Sequence, residues 1–286
     1  MDTSLPTFGL SAALQVEIER QVQQALAEDI GSGDLTAQLI PPTQTASATI
    51  IVREPAVICG IPWANACFRL TAPSCKIDWL VTEGQEVNTD QALCNITGKA
   101  RELLTTERCS LNFLQTLSAT ATQTRLYAKA IADTRAQVMD TRKTIPGMRL
   151  AQKYAVLIGG GANQRIGLYD GILIKENHIA AAGGIREVLN AASAIDADVS
   201  IQIEVESLDQ LQTAIGAGAK LILLDNFTLD NLRAAVKLNR GQAILEASGG
   251  ITLENIRDIA LTGVERISVG SLTKNIHAID LSMRFS

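Results

Sequence analysis

GILIKENHIAAAGGIREVLNAASAIDADVSIQIEVES, residues 171–207, is the stretch from which the fold is read. An apolar run, Gly171–Ile174, ends abruptly in Lys175-Glu176-Asn177-His178. A helix-length segment comes next, and then a second apolar run, Ser200–Val205, which carries Glu204 and leads into Glu206. Strand, polar end, helix, strand is the rhythm of a parallel βαβ unit. Outward in both directions the rhythm persists: Gln137–Met139 comes before, and Lys220–Leu224, Ala243–Leu245 and Arg266–Val269 come after. About six units fit, fewer than the eight of a complete α/β barrel, which leaves a short barrel or an open doubly wound sheet.

The functional signal lies in the polar residues that close each apolar run. The ends read Asp140-Thr141-Arg142-Lys143, Lys175-Glu176-Asn177-His178, Glu204 with Glu206, Asp225-Asn226, Glu246-Ala247-Ser248-Gly249-Gly250 and Gly270-Ser271. In a parallel barrel these positions share one mouth, the face that carries barrel chemistry. Ser248-Gly249-Gly250 and Gly270-Ser271 have the small residues that let backbone N–H groups approach a phosphate, in the final strand-to-helix loops where such sites are common. Residues 140–178 hold Arg142, Lys143, Arg149, Lys153, Arg165 and Lys175 against Asp140, Asp170 and Glu176, so the local balance is 6 − 3 = +3. The whole chain carries −5. A basic mouth on an acidic protein favours small anionic ligands, and the acidic whole argues against a nucleic-acid binder. Arg149 and Lys153 fit an ordinary solvated helix face after Gly147. Arg142 and Lys143, in a loop directly after a strand, do not.

The N-terminal half is different. Leu14, Ile18, Val22 and Leu26 recur every fourth residue, an amphipathic helix that should stop at Gly31-Ser32-Gly33. Short β-like runs come after it at Ala48–Val52, Val57–Cys59, Ile77–Val81 and Ala92–Ile96. The stretch VTEGQEVNTDQALCNITG reads as a plain hairpin, since it lacks the exposed Lys to which a lipoyl or biotinyl group would be attached. Residues 101–134, free of Gly and Pro, read as one long helix, with a domain boundary near 118. The expected division is 1–118 and 119–271, with the tail 272–286 returning to the first domain.

Hydrophobic residues make up 47% of the 286 and aromatics only 3%, so Val, Ile, Leu and Ala must fill the core, as in parallel α/β proteins. The five cysteines are odd in number and form no C-x-x-C pair, which favours buried free thiols over a disulfide or metal framework. MDTSLPTFGL has no basic region followed by an apolar stretch, and no run is long enough for a membrane span. The expectation is a cytoplasmic protein.

Taken together, DTRKTIPGMRLAQKYAVLIGGGANQRIGLYDGILIKENHI (140–179) resembles the central signature of the quinolinate phosphoribosyltransferases. The similarity continues in IEVES (203–207), LLDNF (223–227), ASGGIT (247–252) and ISVGSLT (267–273), and in AEDIGSGDLT (27–36), CGIP (59–62) and ERCSLNFLQTLSATAT (107–122). It implies an N-terminal α/β sandwich and a C-terminal incomplete parallel α/β barrel. It also implies a homodimer or larger assembly in which one subunit's first domain closes the other's barrel. The implied reaction joins quinolinate to phosphoribosyl pyrophosphate with loss of carbon dioxide and pyrophosphate, giving nicotinate mononucleotide for NAD biosynthesis, with Mg²⁺ as cofactor. By the same resemblance Arg142, Arg165 and Lys175 hold the quinolinate carboxylates, with Arg108 from the neighbouring subunit. Lys143 and Lys175 face the pyrophosphate, beside Thr144. Glu204 and Asp225 bind the ribose hydroxyls and the magnesium region, and Ser248, Gly249, Gly250, Gly270 and Ser271 hold the 5′-phosphate. Lys143, Lys175, Glu204 and Asp225 are the expected catalytic groups.

One position departs from the pattern. The family has Asn-His-Arg where this chain reads Asn163-Gln164-Arg165. An amide donates a hydrogen bond but cannot become a cation. This leaves a second reading open, a catalytically impaired protein that binds quinolinate or a phosphosugar. Two further alternatives are an aldolase-type lyase with Lys175 as a Schiff-base lysine, and the sister phosphoribosyltransferases of molybdenum-transport operons. TRKTIPG and LIKENHI match the quinolinate enzymes better than the latter.

Overall fold

The computed structural model describes residues 11–195 and 198–286; the N-terminal decapeptide, in which no targeting signal was expected, lies outside them. The elements in chain order are α1 (Ala12–Ile30), β1 (Thr45–Val52), β2 (Ala56–Val57), α2 (Ile61–Thr71), β3 (Lys76–Trp79), β4 (Glu86–Val87), β5 (Ala92–Lys99), α3 (Ala100–Ala130), β6 (Gln137–Met139) and α4 (Arg149–Ile158). They continue with β7 (Gly171–Ile174), α5 (Glu176–Ala182), α6 (Ile185–Ser193), β8 (Ser200–Val205), α7 (Leu208–Gly216), β9 (Leu221–Asp225), α8 (Leu229–Asn239), β10 (Ile244–Ser248), α9 (Ile256–Ala260), β11 (Arg266–Ser268), α10 (Ser271–Lys274) and β12 (Leu281–Phe285). Two compact units result. One holds the described residues through Gln123 with Ile145–Gly159 and Asn275–Ser286; the other holds Thr124–Thr144 and Gly160–Lys274.

In the first unit α1 starts at Ser11, whose hydroxyl accepts from the Leu14 amide, and stops at Gly31, where φ is +52°. Its stripe Ile18, Val22 and Leu26 is buried with Trp63, Phe113 and Leu117. A four-stranded antiparallel sheet has the order β12-β1-β5-β3. Ile50, Cys94 and Ile96 of that sheet pack with Phe68 of α2 and with Leu103, Leu111 and Leu114 of α3. The expected hairpin does not form. Strand β4 pairs with β2, while β5 already has β1 on one edge and β3 on the other. Helix α2 has no comparable signal in the sequence. Its first amides are satisfied from a distance, by Glu83 accepting from Gly60 N at 2.8 Å and Ile61 N at 3.0 Å. The Cys59 thiol and the Tyr154 hydroxyl also hydrogen-bond to that carboxylate, and burial pushes Glu83 above the usual carboxylate range. Lys153 is a correction: expected on a solvated face, it is buried, because almost every residue of α4 from Ala151 to Ile158 is covered. All five cysteines are free thiols.

In the second unit six strands run parallel in the order β6-β11-β10-β9-β8-β7. Followed round from β7, each strand pairs with the next in sequence and β11 pairs with β6. This is a barrel with one open seam, between β6 and β7. Ala162 bridges part of it, donating to Val138 O at 2.8 Å and accepting from Asp140 N at 3.0 Å. Ile203, Val205, Ile222, Leu224, Leu245, Ala247 and Ile267 face the helices and form the apolar core. Side chains alternate along a strand, so Gln202, Glu204, Leu223, Glu246, Ser248 and Ser268 fall on the opposite, inner face. Among the described residues no helix is long and apolar enough to cross a membrane.

Candidate active site

The inner faces open into a cavity of about 190 Å³, lined by Thr141, Arg142, Lys143, Gln164, Arg165, Leu173, Lys175, Gln202, Glu204, Leu223, Glu246, Ser248 and Ser268. Four cations face two carboxylates there, and Leu173 and Leu223 supply apolar wall. A pocket of this kind suits a flat anionic ligand, with apolar surface for a ring and fixed charges for its substituents.

Each charged group is placed by the backbone around it. Lys143 N donates to Thr141 Oγ1 at 3.1 Å, and Thr273 Oγ1 donates to Lys143 O at 2.8 Å, which pins the loop after β6. Arg165 donates to Gly171 O at 2.9 Å. Its loop is tied by Asp170, which accepts from Ile166 N at 2.7 Å and Gly167 N at 2.8 Å. Burial, and then the like charge of Arg142, pull Arg165 below the usual guanidinium range, while Asp170 acts in the other direction. Lys175 stands just before α5. Its amide donates to His178 Nδ1 at 3.0 Å, and its Nζ lies 2.9 Å from Glu204 Oε2.

The polar strand ends meet beside this cavity. Ser248 pairs in register with Asp225, and Asn226, at φ +56°, donates its amide to Ser248 O at 2.9 Å. Gly249, at φ +99°, backs onto Asn226: a Cβ there would lie 3.0 Å from Asn226 N. Asn255 fastens the same loop, donating to Gly250 O and accepting from Thr252 N, each at 2.9 Å. Gly270 backs onto the Lys143 side chain, 3.1 Å from Cδ to a Cβ built there. The Ser271 hydroxyl is buried and has no hydrogen-bond partner among the described residues.

Domain models of quinolinate phosphoribosyl transferase match two consecutive segments, the N-terminal domain at residues 34–118 and the C-terminal domain at 120–284. The chain belongs to the quinolinate phosphoribosyltransferase family. It is 39% identical over 269 residues to a probable nicotinate-nucleotide pyrophosphorylase [carboxylating] of Bacillus subtilis, covering 94% of this chain and 93% of that one. It is 40% identical over 271 residues to the protein of the same description from Synechocystis, covering 93% and 92%. The solved nicotinate-nucleotide pyrophosphorylase of Francisella tularensis superposes with a TM-score of 0.93 at 45% identity, over 95% of this chain and 97% of that one.

Of the residues expected from the quinolinate phosphoribosyltransferase resemblance, Arg142, Lys143, Gln164, Arg165, Lys175, Glu204 and Ser248 line the cavity. Asp225, Gly249, Gly250, Gly270 and Ser271 stand in the adjoining loops, and Thr144 comes directly after Lys143. Arg108 is on α3 in the first unit, exposed, and not among the lining residues. Sequence reasoning missed Gln202 and Ser268 and set Glu246 at the mouth without a role; the three form the polar floor. The signal was present in the alternation Ile201-Gln202-Ile203-Glu204-Val205 and Leu245-Glu246-Ala247-Ser248, where every second residue is polar.

Proposed function

We propose that this chain transfers the phosphoribosyl group of phosphoribosyl pyrophosphate to the ring nitrogen of quinolinate, with decarboxylation, to give nicotinate mononucleotide. The observation that carries this reading is the pairing of Arg142 and Arg165 in one cavity, close enough that one guanidinium perturbs the other. Two cations at this spacing suit a dianion that contacts both. Quinolinate carries two adjacent carboxylates on a flat ring. Arg142, Arg165 and Lys175 take the carboxylates, and Leu173 and Leu223 flank the ring.

Lys143 and Lys175 face the pyrophosphate, with Thr144 beside them. Ser248, Gly249, Gly250, Gly270 and Ser271 receive the 5′-phosphate, where the Ser271 hydroxyl, without a hydrogen-bond partner among the described residues, offers a donor and Gly249 and Gly250 add no side chain to block close approach. As the bond from C1′ to pyrophosphate breaks, positive charge develops on the ribose, and the carboxylates of Glu204 and Asp225 stabilise it. The ring nitrogen bonds to C1′ and becomes cationic. The neighbouring carboxylate then leaves as carbon dioxide, its bonding electrons drawn toward that charge, and a proton takes its place.

Among the described residues no group of three or more His, Cys, Asp or Glu side chains is arranged to hold a metal. Glu204 and Asp225 instead offer two hard oxygen donors on neighbouring strands, which fits Mg²⁺ brought in by the pyrophosphate with one or two protein carboxylates. Held by those two carboxylates, Mg²⁺ would supply positive charge to offset that of the leaving pyrophosphate. Arg108, exposed on α3, is assigned to a neighbouring subunit's site in a homodimer or larger assembly, as the family resemblance implies. The protein works in the cytoplasm. The deciding experiment is quinolinate-dependent release of pyrophosphate and carbon dioxide from phosphoribosyl pyrophosphate, with Mg²⁺ present and withheld. Release without quinolinate, or none with it, rejects the reading.

A further inference from the structure

We propose that His178 is a positioning residue for quinolinate: it closes the start of α5 as a neutral acceptor, which leaves the Lys175 ammonium to Glu204 and the cavity. The proposal rests on the cavity being the quinolinate site. Lys175 occupies the N-cap of α5, with extended backbone angles of φ −122° and ψ 170°. Ser, Thr, Asp and Asn are usual there because their side chains accept from the first helical amides. Lysine only donates. Its side chain turns instead to the neighbouring strand, where Nζ lies 2.9 Å from Glu204 Oε2. Ile174 of β7 pairs in register with Ile203 of β8, so Lys175 and Glu204 are the next pair along.

His178, the third residue of α5, closes the turn from the other side. Its Nδ1 accepts from Lys175 N at 3.0 Å, while His178 N and Ile179 N donate to Lys175 O at 2.8 and 3.0 Å. The N–H and the C=O of Lys175 are thereby both held, and its side chain departs from a fixed Cα. A ring nitrogen that accepts carries no proton, so the imidazole is neutral with its proton on Nε2. In a capping box this position is ordinarily Glu or Gln. A glutamate three residues after Lys175 would face it across the first turn and compete with Glu204 for the ammonium. Glu176, adjacent in the chain, does not face Lys175 in this way, and its Oε1 accepts from Asn177 Nδ2 at 3.1 Å. A neutral acceptor at 178 keeps the cap and adds no competing charge. His178 thus acts on quinolinate through Lys175.

The test measures quinolinate dissociation constants by titration calorimetry, beside thermal melts, on the full chain. His178→Ala removes the acceptor, and affinity should fall about threefold to tenfold, the scale of one hydrogen bond. His178→Gln restores a neutral acceptor and should rescue binding to within about twofold of the parent. His178→Glu restores the acceptor with a charge: it should melt like the Gln variant yet bind about threefold more weakly than it. In a Lys175→Ala background the three variants should differ by no more than about twofold, since no ammonium remains to be positioned. A Gln variant as weak as Ala, a Glu variant as tight as Gln, or losses that persist without Lys175 would overturn the proposal. The last result would assign the effect to repulsion of the dianion or to the helix itself. His178 is exposed, and Gln and Glu both keep the cap, so their comparison gives a reading even if His178→Ala does not fold. Lys175→Ala alone tests the underlying reading: binding as tight as the parent's rejects the site assignment and this proposal with it. Weak binding by Lys175→Ala, with no change in any His178 variant, rejects this proposal alone.

Discussion

The guanidinium of Arg142 stands close enough to that of Arg165 to lower the latter's proton affinity, second only to the effect of burial. Like charges at this spacing favour an anion that contacts both. Arg142→Ala should relieve the repulsion and leave folding intact while costing about 2–5 kcal/mol of quinolinate binding or transition-state stabilisation, on the order of 30-fold or more in kcat/KM. Steady-state kinetics beside a thermal melt checks both halves, and a near-normal kcat/KM counts against the assignment.

Arg108 is exposed on α3. If it completes a neighbouring subunit's site, Arg108→Ala and Arg142→Ala should each be nearly inactive alone. After subunit exchange, mixed dimers should regain activity, because one site in each would be intact. Exchange confirmed by differential tags, with no recovery of turnover, removes the shared-site arrangement.

Gln164→His places an imidazole beside the buried Glu246 carboxylate. A nearby negative charge favours the cationic form, so the new histidine should titrate above its ordinary value of about 6.5. Its charge is then present below that raised pKa and lost as pH rises through it. Quinolinate affinity should gain at most about 100-fold, most at the acidic end. The parent, with Gln164, should show no titration from this position. Profiles of kcat/KM for both proteins from pH 6 to 9 decide the matter; parallel profiles would show that position 164 carries no charge effect.

Burial raises Glu83 above the usual carboxylate range. Between its unfolded value, about 4.3, and the raised folded value, the native state binds the extra proton, so stability falls as pH rises through that window. Glu83→Gln should flatten this slope in melts from pH 4 to 8. It should also lower the melting temperature below pH 5, since an amide oxygen replaces only part of the cap shared by Gly60 and Ile61. A slope unchanged by the substitution assigns the pH dependence to another group.

Gly249 combines a φ of +99° with a backbone pressed against Asn226. Gly249→Ala should displace the loop from Ser248 to Asn255 and raise KM for phosphoribosyl pyrophosphate more than that for quinolinate. Equal effects on the two substrates would separate this loop from phosphate binding.

All six barrel strands were legible because each is a short apolar run closed by polar residues, and the observed bounds differ from the reading by at most a few residues. The charged mouth was legible for the same reason. The floor was not, because Glu246 reads as the residue after a strand and becomes an inner-face residue only once β10 is seen to run on to Ser248. Helix α2 escaped because its cap comes from Glu83, more than twenty residues away, and local patterns do not carry such a partner. Lys153 escaped because a lysine in an amphipathic helix is ordinarily solvated, and only the packing of α4 buries it. The N-terminal hairpin was misjudged because turn residues announce a reversal without naming the strand that will be met.

The seam between β6 and β7 gives the barrel an unequal clock. Elsewhere round the ring each strand is latched to its neighbours by a ladder, and amide hydrogens there can exchange with solvent only when a whole ladder opens. At the seam the fasteners are Ala162 on one side and, on the other, the Arg165 side chain bonded to Gly171 O. Arg165 belongs to both the fastening and the anion site. A dicarboxylate that immobilises it should therefore slow deuterium uptake at the start of β7, while the β8–β9–β10 ladders, already slow, keep their pace.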